Sequence, residues 1–409
     1  MDLSERNGGP MTVGDYSAVL IARVINVGTS GGTSIFLAAT LGVGGFGGYS
    51  YALAVYMIAS TFAQLGLQQA HVRLSRDGVS ASILFTSMFL PVSIVGVFSG
   101  VLALFFLLRV TQEPGYEVHV LLLASVLTPV MALSALSANL LLLTGQRRRY
   151  LAATIISSSG YGATLLGLSL IDLLNVKSAL VAYFVTPLSF LIASTFSFQL
   201  SETSRAISNS VLHTRLSLGF APSVIMLYVR QRVDIIILGL FTDPQTLGVY
   251  ALAIQAAQTM FTLSDAVNST HLRELVSQHR PRILALRVAF RAFAMTVMVG
   301  ILVSTGFWVL LQVTLKSSYQ GAVPLLLWLM PGMLFSATSQ PFAVLLVAAN
   351  RQRFIALATL LSLLIFIALL VFAIPLLGAT GAAVGKSLVL SVYSISLWMG
   401  FEHFQRRPG

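Results

Sequence analysis

Long apolar runs that are almost free of charge constrain this chain more than any other feature. Only 9% of its 409 residues are charged, while 56% are hydrophobic. A soluble domain carries about 25% charged residues, and so few charges cannot cover the surface of a soluble protein of this size. The composition therefore excludes a water-soluble enzyme and a disordered scaffold, and it indicates a polytopic membrane protein.

Twelve runs are long enough for helices that cross a bilayer, each of which needs about 20 residues. The eighth run has the weakest hydropathy because it carries several polar side chains, among them Gln255, Gln258 and Asp265. The predicted runs are approximately 17–40, 48–70, 82–108, 118–143, 151–171, 178–199, 217–241, 246–270, 286–314, 322–348, 354–376 and 380–401.

The positive charges alternate from one connection to the next. Seventeen of the 24 Lys and Arg residues fall in alternate connections and at the two ends, and only Arg109, Lys177 and Lys316 fall in the others. Because Lys and Arg stay on the cytoplasmic side, this bias predicts that both termini are cytoplasmic. The net charge of +11 therefore reflects membrane orientation, and no segment outside the runs is long enough to form a nucleic-acid-binding face.

An internal repeat divides the chain into two halves. Leu41-Gly42 followed by Gly47-Gly48-Tyr49 is similar to Leu238-Gly239 followed by Gly248-Val249-Tyr250. The turn from Gly145 to Tyr150 is similar to the turn from Ala349 to Phe354. These matches fall at equivalent places in two sets of six runs, as in transporters built from parallel repeats. We predict two pseudo-symmetric six-helix lobes, 1–200 and 217–409, joined by a cytoplasmic linker, 201–216.

Charged side chains near the middle of the seventh run are the costliest in the chain. Arg230 lies near the midpoint of this run, too deep for its side chain to reach the interface easily. Asp234 follows one turn later on the same face, so the two side chains can pair, and Arg232 projects from a different face. Either the charges serve a substrate, or a neutralised pair holds the lobe together. Lys386, near the outer end of the last run, is expected to extend to the interface.

Polar side chains form stripes on runs one, two, seven and eight, which are equivalent positions in the two lobes. Helix–helix hydrogen bonding accounts for a single stripe, whereas four equivalent stripes favour a shared aqueous cavity. Asp234 and Asp265 are the candidates for ion coupling. The candidate substrate-binding residues are Arg23, Asn26, Gln64, Arg230, Arg232, Asp234, Gln255 and Gln258.

Signatures of metal sites and soluble catalytic sites are missing. The chain has no cysteine, and its histidines do not follow a metal-ligand spacing. It has no GxxxxGK[ST], GxSxG or HExxH motif. We therefore predict no catalytic residue, no metal and no cofactor. A membrane-embedded polysaccharide polymerase or ligase is a weaker alternative, because the predicted outer connections are too short for a catalytic loop.

Three groups of residues resemble the oligosaccharide flippases of the multidrug/oligosaccharidyl-lipid/polysaccharide (MOP) exporter superfamily. The first is Ala22-Arg23 with Leu41-Gly42, Gly47-Gly48-Tyr49 and Leu65-Gly66-Leu67. The second is Arg232-Val233-Asp234 with Leu238-Gly239 and Gly248-Val249-Tyr250, and the third is the turn from Gly145 to Tyr150. The similarity extends over essentially the whole chain.

The resemblance implies a fold and a substrate. It implies a V-shaped pair of lobes that open alternately, in the bacterial cytoplasmic membrane. The substrate would be an undecaprenyl-pyrophosphate-linked oligosaccharide, moved from the inner to the outer leaflet for O-antigen, capsule or exopolysaccharide synthesis. The cavity arginines would attract the pyrophosphate. Lipid II flippases usually carry two C-terminal helices in addition to the twelve predicted here. The resemblance therefore favours a surface-polysaccharide unit over a peptidoglycan precursor.

The same superfamily contains an alternative function and implies partners. Multidrug exporters of the MATE type also have twelve helices, but they typically couple to cations through buried carboxylates. The cationic candidate cavity is better suited to an anionic lipid carrier. Membrane lipids, a polysaccharide polymerase and chain-length proteins are the further partners that the resemblance implies.

Overall fold

The computed structural model describes residues 13–76, 79–110, 118–196, 213–270, 281–349 and 351–406. In this part of the chain the regular structure is entirely helical. The helices are α1 (Val13–Gln64), α2 (Leu67–Arg76), α3 (Ala81–Val110), α4 (Val118–Leu143), α5 (Arg147–Leu170), α6 (Val176–Tyr183), α7 (Val185–Thr195), α8 (Ala221–Phe241), α9 (Pro244–Thr270), α10 (Pro281–Leu310), α11 (Ala322–Ala348) and α12 (Gln352–Arg406). A π-helical turn, Leu311–Leu315, and a 3₁₀ turn, Lys316–Tyr319, follow α10.

Most helix bounds lie within a few residues of the predicted apolar runs. Eight helices within the described residues are long and apolar enough to cross a membrane. They do not include α8 and α9, the helices that carry the charged and amide side chains of runs seven and eight. The predicted count of twelve spans stays a prediction.

Two very long helices are each bent at a single glycine. Gly42 in α1 has φ 70° and ψ 174°, and Gly378 in α12 has φ 57° and ψ −136°. A positive φ is accessible to glycine at little cost and strained for other residues. Both bends fall where the sequence predicts a turn between two consecutive runs, so α12 contains the last two predicted runs, and α1 contains the first run and most of the second.

The chain divides into two compact units. Unit 1 contains Met1–Thr33 and Ala52–Tyr228, and unit 2 contains Ser34–Tyr51 and Val229–Gly409. In unit 1, α3 packs on α4, and α7 packs on α4 and α5. Its apolar core lies between these helices and includes Phe85, Met88, Leu136 and Phe190. The lobe boundaries predicted from the sequence stay a prediction.

Unit 2 is built around α11, which packs against α9, α10 and α12. Within this unit the two glycine turns of the predicted repeat lie against each other. A Cβ atom on Gly47 would meet the carbonyl oxygen of Pro244, and one on Gly248 would meet that of Val43. These glycines therefore permit a backbone-to-backbone contact that no larger residue could make at either position.

Asp243 begins α9 by capping its first turn. Its Oδ1 accepts hydrogen bonds from the backbone N–H groups of Gln245 and Thr246 at 2.8 and 2.9 Å, and its Oδ2 accepts one from the Thr246 hydroxyl at 2.7 Å. The bond from the Thr246 backbone contributes most to lowering the pKa of this carboxyl group. The cap satisfies N–H groups that the first turn of a helix leaves without partners.

Candidate functional site

A buried ion pair joins α8 to α12 in unit 2. The ammonium Nζ of Lys386 lies 2.7 Å from Oδ2 of Asp234 and donates a second hydrogen bond to the carbonyl oxygen of Gln231 at 2.9 Å. The hydroxyl of Tyr250, on α9, donates to the same Oδ2 at 2.5 Å. Asp234 is 0% exposed and Lys386 3% exposed, so the low local dielectric makes their attraction strong.

The expectation that Lys386 extends to the membrane interface is wrong. The residue lies eight positions beyond the bend at Gly378, which corresponds to roughly 12 Å along the helix at 1.5 Å per residue. At that position its side chain points at a carboxylate on a neighbouring helix. Pairing with Asp234 replaces the contact with water that an unpaired lysine needs.

Arg230 has partners other than Asp234. Its Nη1 donates a hydrogen bond to the Ser362 hydroxyl at 3.0 Å, and its guanidinium carbon lies 3.7 Å from the centre of the Tyr393 ring. Both partners belong to α12. The i,i+4 spacing correctly places Arg230 and Asp234 on one face of α8, but the predicted pairing between them is wrong in this structure. Each side chain instead finds its own partner on α12.

The cations around this ion pair outnumber the carboxylate. Arg230 is buried, Arg232 is half-buried, and both lie close enough to act electrostatically on Lys386. Asp234 is the carboxylate that pairs with Lys386. We call Arg230, Arg232, Asp234 and Lys386 the charge cluster, and its formal charge is positive.

The charge cluster retains hydrogen-bonding capacity. The Nε of Arg230 and the Oδ1 of Asp234 are buried and have no hydrogen-bond partner among the described residues. The Lys386 ammonium has three donor hydrogens, and two of them are engaged by Asp234 and Gln231. Buried polar atoms without partners are costly, and the Arg230 Nε and the third Lys386 hydrogen are donors still open to a further acceptor.

A second polar cluster lies in unit 1 and contains two predicted site residues. The buried Gln64 side chain accepts a hydrogen bond from Gln68 Nε2 at 2.9 Å. Tyr228 lies beside Gln68 and within electrostatic range of the half-buried Arg23. The predicted residue Asn26 is exposed. Gln68 and Tyr228 were not among the predicted site residues, although Gln68 continues the polar stripe of the second run.

The remaining predicted residues lie on α9. Gln255 and Gln258 are half-buried, and their assignment to a substrate site stays a prediction. The side chain of Asp265 lies outside the described residues. Residues 13–76, 79–110, 118–196, 213–270, 281–349 and 351–406 contain no group of three His, Cys, Asp or Glu side chains able to hold a metal ion.

Comparison with known proteins relates the chain to polysaccharide synthesis and to transporter folds. The model of a family described as "Polysaccharide biosynthesis protein" matches residues 14–268. No curated protein matches the sequence. Among solved structures, the lipid II flippase MurJ in an inward closed conformation is 15% identical with a TM-score of 0.70, covering 96% of this chain and 88% of MurJ.

Two further structures show the same fold. An inward-facing multidrug resistance MATE family transporter of the MOP superfamily is 13% identical with a TM-score of 0.65, covering 98% of this chain and 97% of the transporter. A MOP superfamily transporter from Pyrococcus furiosus, described as having a binding pocket of reverse polarity, is 14% identical with a TM-score of 0.52, covering 97% and 98%. The predicted all-helical MOP fold is confirmed.

Proposed function

The chain belongs to the polysaccharide biosynthesis protein family, and we propose that it flips an undecaprenyl-pyrophosphate-linked oligosaccharide from the inner to the outer leaflet. The product would feed the synthesis of a surface polysaccharide such as O-antigen, capsule or exopolysaccharide. In this proposal the protein moves its substrate by alternating access through a cationic cavity and catalyses no covalent step.

The positive charge cluster in unit 2 is the observation that supports this proposal most strongly. The pyrophosphate of such a substrate is esterified on both phosphorus atoms and is a compact dianion, and Arg binds phosphate oxygens through two parallel N–H bonds. Arg230 and Arg232 would meet the pyrophosphate, and Lys386 would contribute its remaining donor. Burial of this cluster strengthens the attraction, because the local dielectric is far below that of water.

The state of Asp234 argues against the alternative, a cation-coupled multidrug exporter. Such an exporter needs a buried carboxylate that can exchange a proton or a metal ion for its drug. Asp234 already holds an ammonium at 2.7 Å and accepts a hydrogen bond from the Tyr250 hydroxyl. A drug cation approaching it would also meet three positive side chains in the same cluster. Asp265 stays the second ion-coupling candidate.

Deleting the gene separates the two functions. We expect the deletion strain to lose surface polysaccharide and to accumulate the lipid-linked repeat unit at the inner leaflet, while its sensitivity to cationic drugs stays unchanged. Gel analysis of extracted polysaccharide and mass spectrometry of the lipid fraction measure the first effect. Normal polysaccharide together with raised drug sensitivity would contradict the flippase proposal and support the exporter.

We propose that the protein lies in the bacterial cytoplasmic membrane with both termini in the cytoplasm. Reporter fusions after Arg149, Arg215 and Arg353 should then give cytoplasmic signals, because each follows a basic connection. Fusions near Gly44, Asn175 and Asp243 should give external signals. An external signal at Arg149 or Arg353 would contradict the orientation and the twelve-span topology together.

The remaining proposed partners are the components that use the flipped unit. Membrane lipids surround the apolar helices, and a polysaccharide polymerase and chain-length proteins would act on the unit at the outer face. The short connections predicted on that face leave little surface for a stable complex. We therefore propose that the lipid-linked substrate itself passes between these proteins.

A further inference from the structure

Two histidines are buried together in unit 1. His71, on α2, is 0% exposed, and His213, the first described residue of the helical segment before α8, is 2% exposed. They are close enough to interact electrostatically. Apolar side chains of the unit 1 core lie on the same elements, including Leu74 on α2 and Leu84 on α3. The proposed flippase function gives neither imidazole a role.

The two rings differ in their hydrogen bonding. The Nδ1 of His213 lies 2.7 Å from the hydroxyl of Ser87, and that hydroxyl donates to the Leu84 carbonyl oxygen at 3.0 Å. Ser87 accepts from His213 when Nδ1 carries the proton, and it donates to Nδ1 in the other tautomer. Both ring nitrogens of His71 are buried and have no hydrogen-bond partner among the described residues. An imidazole carries a donor and an acceptor when neutral, so His71 holds an unused proton acceptor in the core.

The segment that carries His213 is packed tightly against the turn that precedes α2. Leu65 and Gly66, in this turn, both have positive φ, 51° and 74°. A Cβ atom on Gly66 would come within 2.7 Å of the Ser217 carbonyl oxygen and the Ala221 nitrogen. The backbone of residues 213–221 therefore lies directly on this turn, where Gly66 leaves no room for a side chain.

We propose that His71 and His213 form a proton-binding site whose occupancy controls the docking of residues 213–221 on unit 1. The docked segment is compatible with two neutral imidazoles. A proton taken up by either ring places an imidazolium in an apolar core, which is costly without a counter-ion. Undocking lets His213 reach water, where the charged form is stable.

Within the described residues, no carboxylate lies on the two segments that carry the rings or on α3. Arg73 and Arg215, on the two segments that carry the rings, are exposed, and Arg23 on α1 lies near Tyr228 instead. All of these are cations, which disfavour a further positive charge. The other charged residues and histidines on α1 to α5 are Arg109, His119, Arg147, Arg148 and Arg149, together with Asp15 and Arg76, whose side chains lie outside the described residues. Arg109 lies at the opposite end of α3 from Ser87. His119 lies at the opposite end of α4 from Leu140, a residue of the unit 1 core.

The direction of the pH effect follows from burial. Burial lowers the pKa of His213 in the docked segment, whereas a histidine in water has a pKa of about 6.5. The undocked state therefore binds more protons as the pH falls below that value, and docking weakens. A histidine that stays neutral in the docked segment gives about a tenfold shift in the docking equilibrium between pH 8 and pH 5.5, and two give about a hundredfold shift.

Cysteine labelling can measure docking directly because the chain contains no cysteine of its own. Ser217→Cys places a thiol on a residue that is 0% exposed in the docked segment, and Leu218→Cys places one on a neighbour that is 53% exposed. The protein in lipid nanodiscs is labelled with a maleimide at pH values from 8 to 5.5. The ratio of the two labelling rates removes the pH dependence of the thiol reaction itself.

We expect this ratio to rise at least about tenfold at pH 5.5 relative to pH 8. In a His71→Phe/His213→Gln background the ratio should stay flat, because phenylalanine is apolar and glutamine keeps a donor for Ser87 without titrating. His213→Gln alone serves if the double variant does not fold, and it should reduce the rise. A flat ratio in the parent protein, or an equal rise in the histidine-free variant, would overturn the proposal.

Discussion

Replacing Arg230 with alanine lowers translocation of the lipid-linked oligosaccharide by at least about tenfold, while the protein still reaches the membrane. The substitution removes a buried guanidinium, and a hydrogen bond to a charged group contributes about 1.5–3 kcal/mol. Loss of one such bond to the pyrophosphate corresponds to roughly a tenfold to hundredfold change. Transport in cells and protein abundance in isolated membranes are measured together, so that a loss of folding is not mistaken for a loss of function.

Matched variants separate the charge of Arg230 from its local contacts. Ser362→Ala removes the 3.0 Å hydrogen bond to Nη1 but leaves the guanidinium in place, so we expect transport to stay close to that of the parent. Arg291→Ala removes an exposed cation elsewhere in unit 2 and should also be tolerated. Normal transport by Arg230→Ala would remove this residue from the proposed site. Equal losses of transport and abundance would assign it a structural role.

Breaking the Asp234–Lys386 pair destabilises the protein, and removing both charges restores it. Lys386→Met leaves a buried carboxylate without its ammonium, and Asp234→Asn leaves a buried ammonium without its carboxylate. Removing one partner of a buried pair costs about 3–5 kcal/mol, whereas replacing both is often close to neutral. We expect each single variant to lower the melting temperature in detergent and the double variant, Lys386→Met/Asp234→Asn, to recover most of it.

The double variant also tests whether Lys386 serves the substrate. If its ammonium contributes to pyrophosphate binding, the recovered protein stays poor in transport. Recovery of both stability and transport would assign the pair to structure alone. A parent-like melting temperature for Lys386→Met would contradict the buried ion pair itself, because an uncompensated Asp234 would then carry no penalty.

The sequence predicts helices well in this protein because the bilayer imposes their length and apolar character. The bounds of α4 and α11 coincide with the predicted runs 118–143 and 322–348. The glycine bends at Gly42 and Gly378 fall between predicted runs because a positive φ is needed there. Hydropathy fixes these features locally, without knowledge of which helix lies beside which.

Partners across helices are not encoded in that local pattern. Spacing within α8 places Arg230 and Asp234 on one face, but the packing of α12 decides that Lys386 reaches Asp234 while Ser362 and Tyr393 meet Arg230. Periodicity likewise identifies the stripe with Gln64 and cannot place Tyr228 next to Gln68. A basic residue inside an apolar run, which needs an acidic partner in the membrane when its side chain does not reach the interface, is the signal that could have identified Lys386.

Translocation by the purified protein tests the central claim most directly. Proteoliposomes are loaded in one leaflet with undecaprenyl-pyrophosphate-linked oligosaccharide, and its arrival in the other leaflet is followed with a membrane-impermeant glycosidase. We expect rapid translocation by the parent protein, a rate near the protein-free background for Arg230→Ala, and a nearly normal rate for Ser362→Ala. The flippase proposal would be contradicted if the parent protein translocated the substrate no faster than protein-free vesicles do, under conditions where the same protein exports cationic drugs.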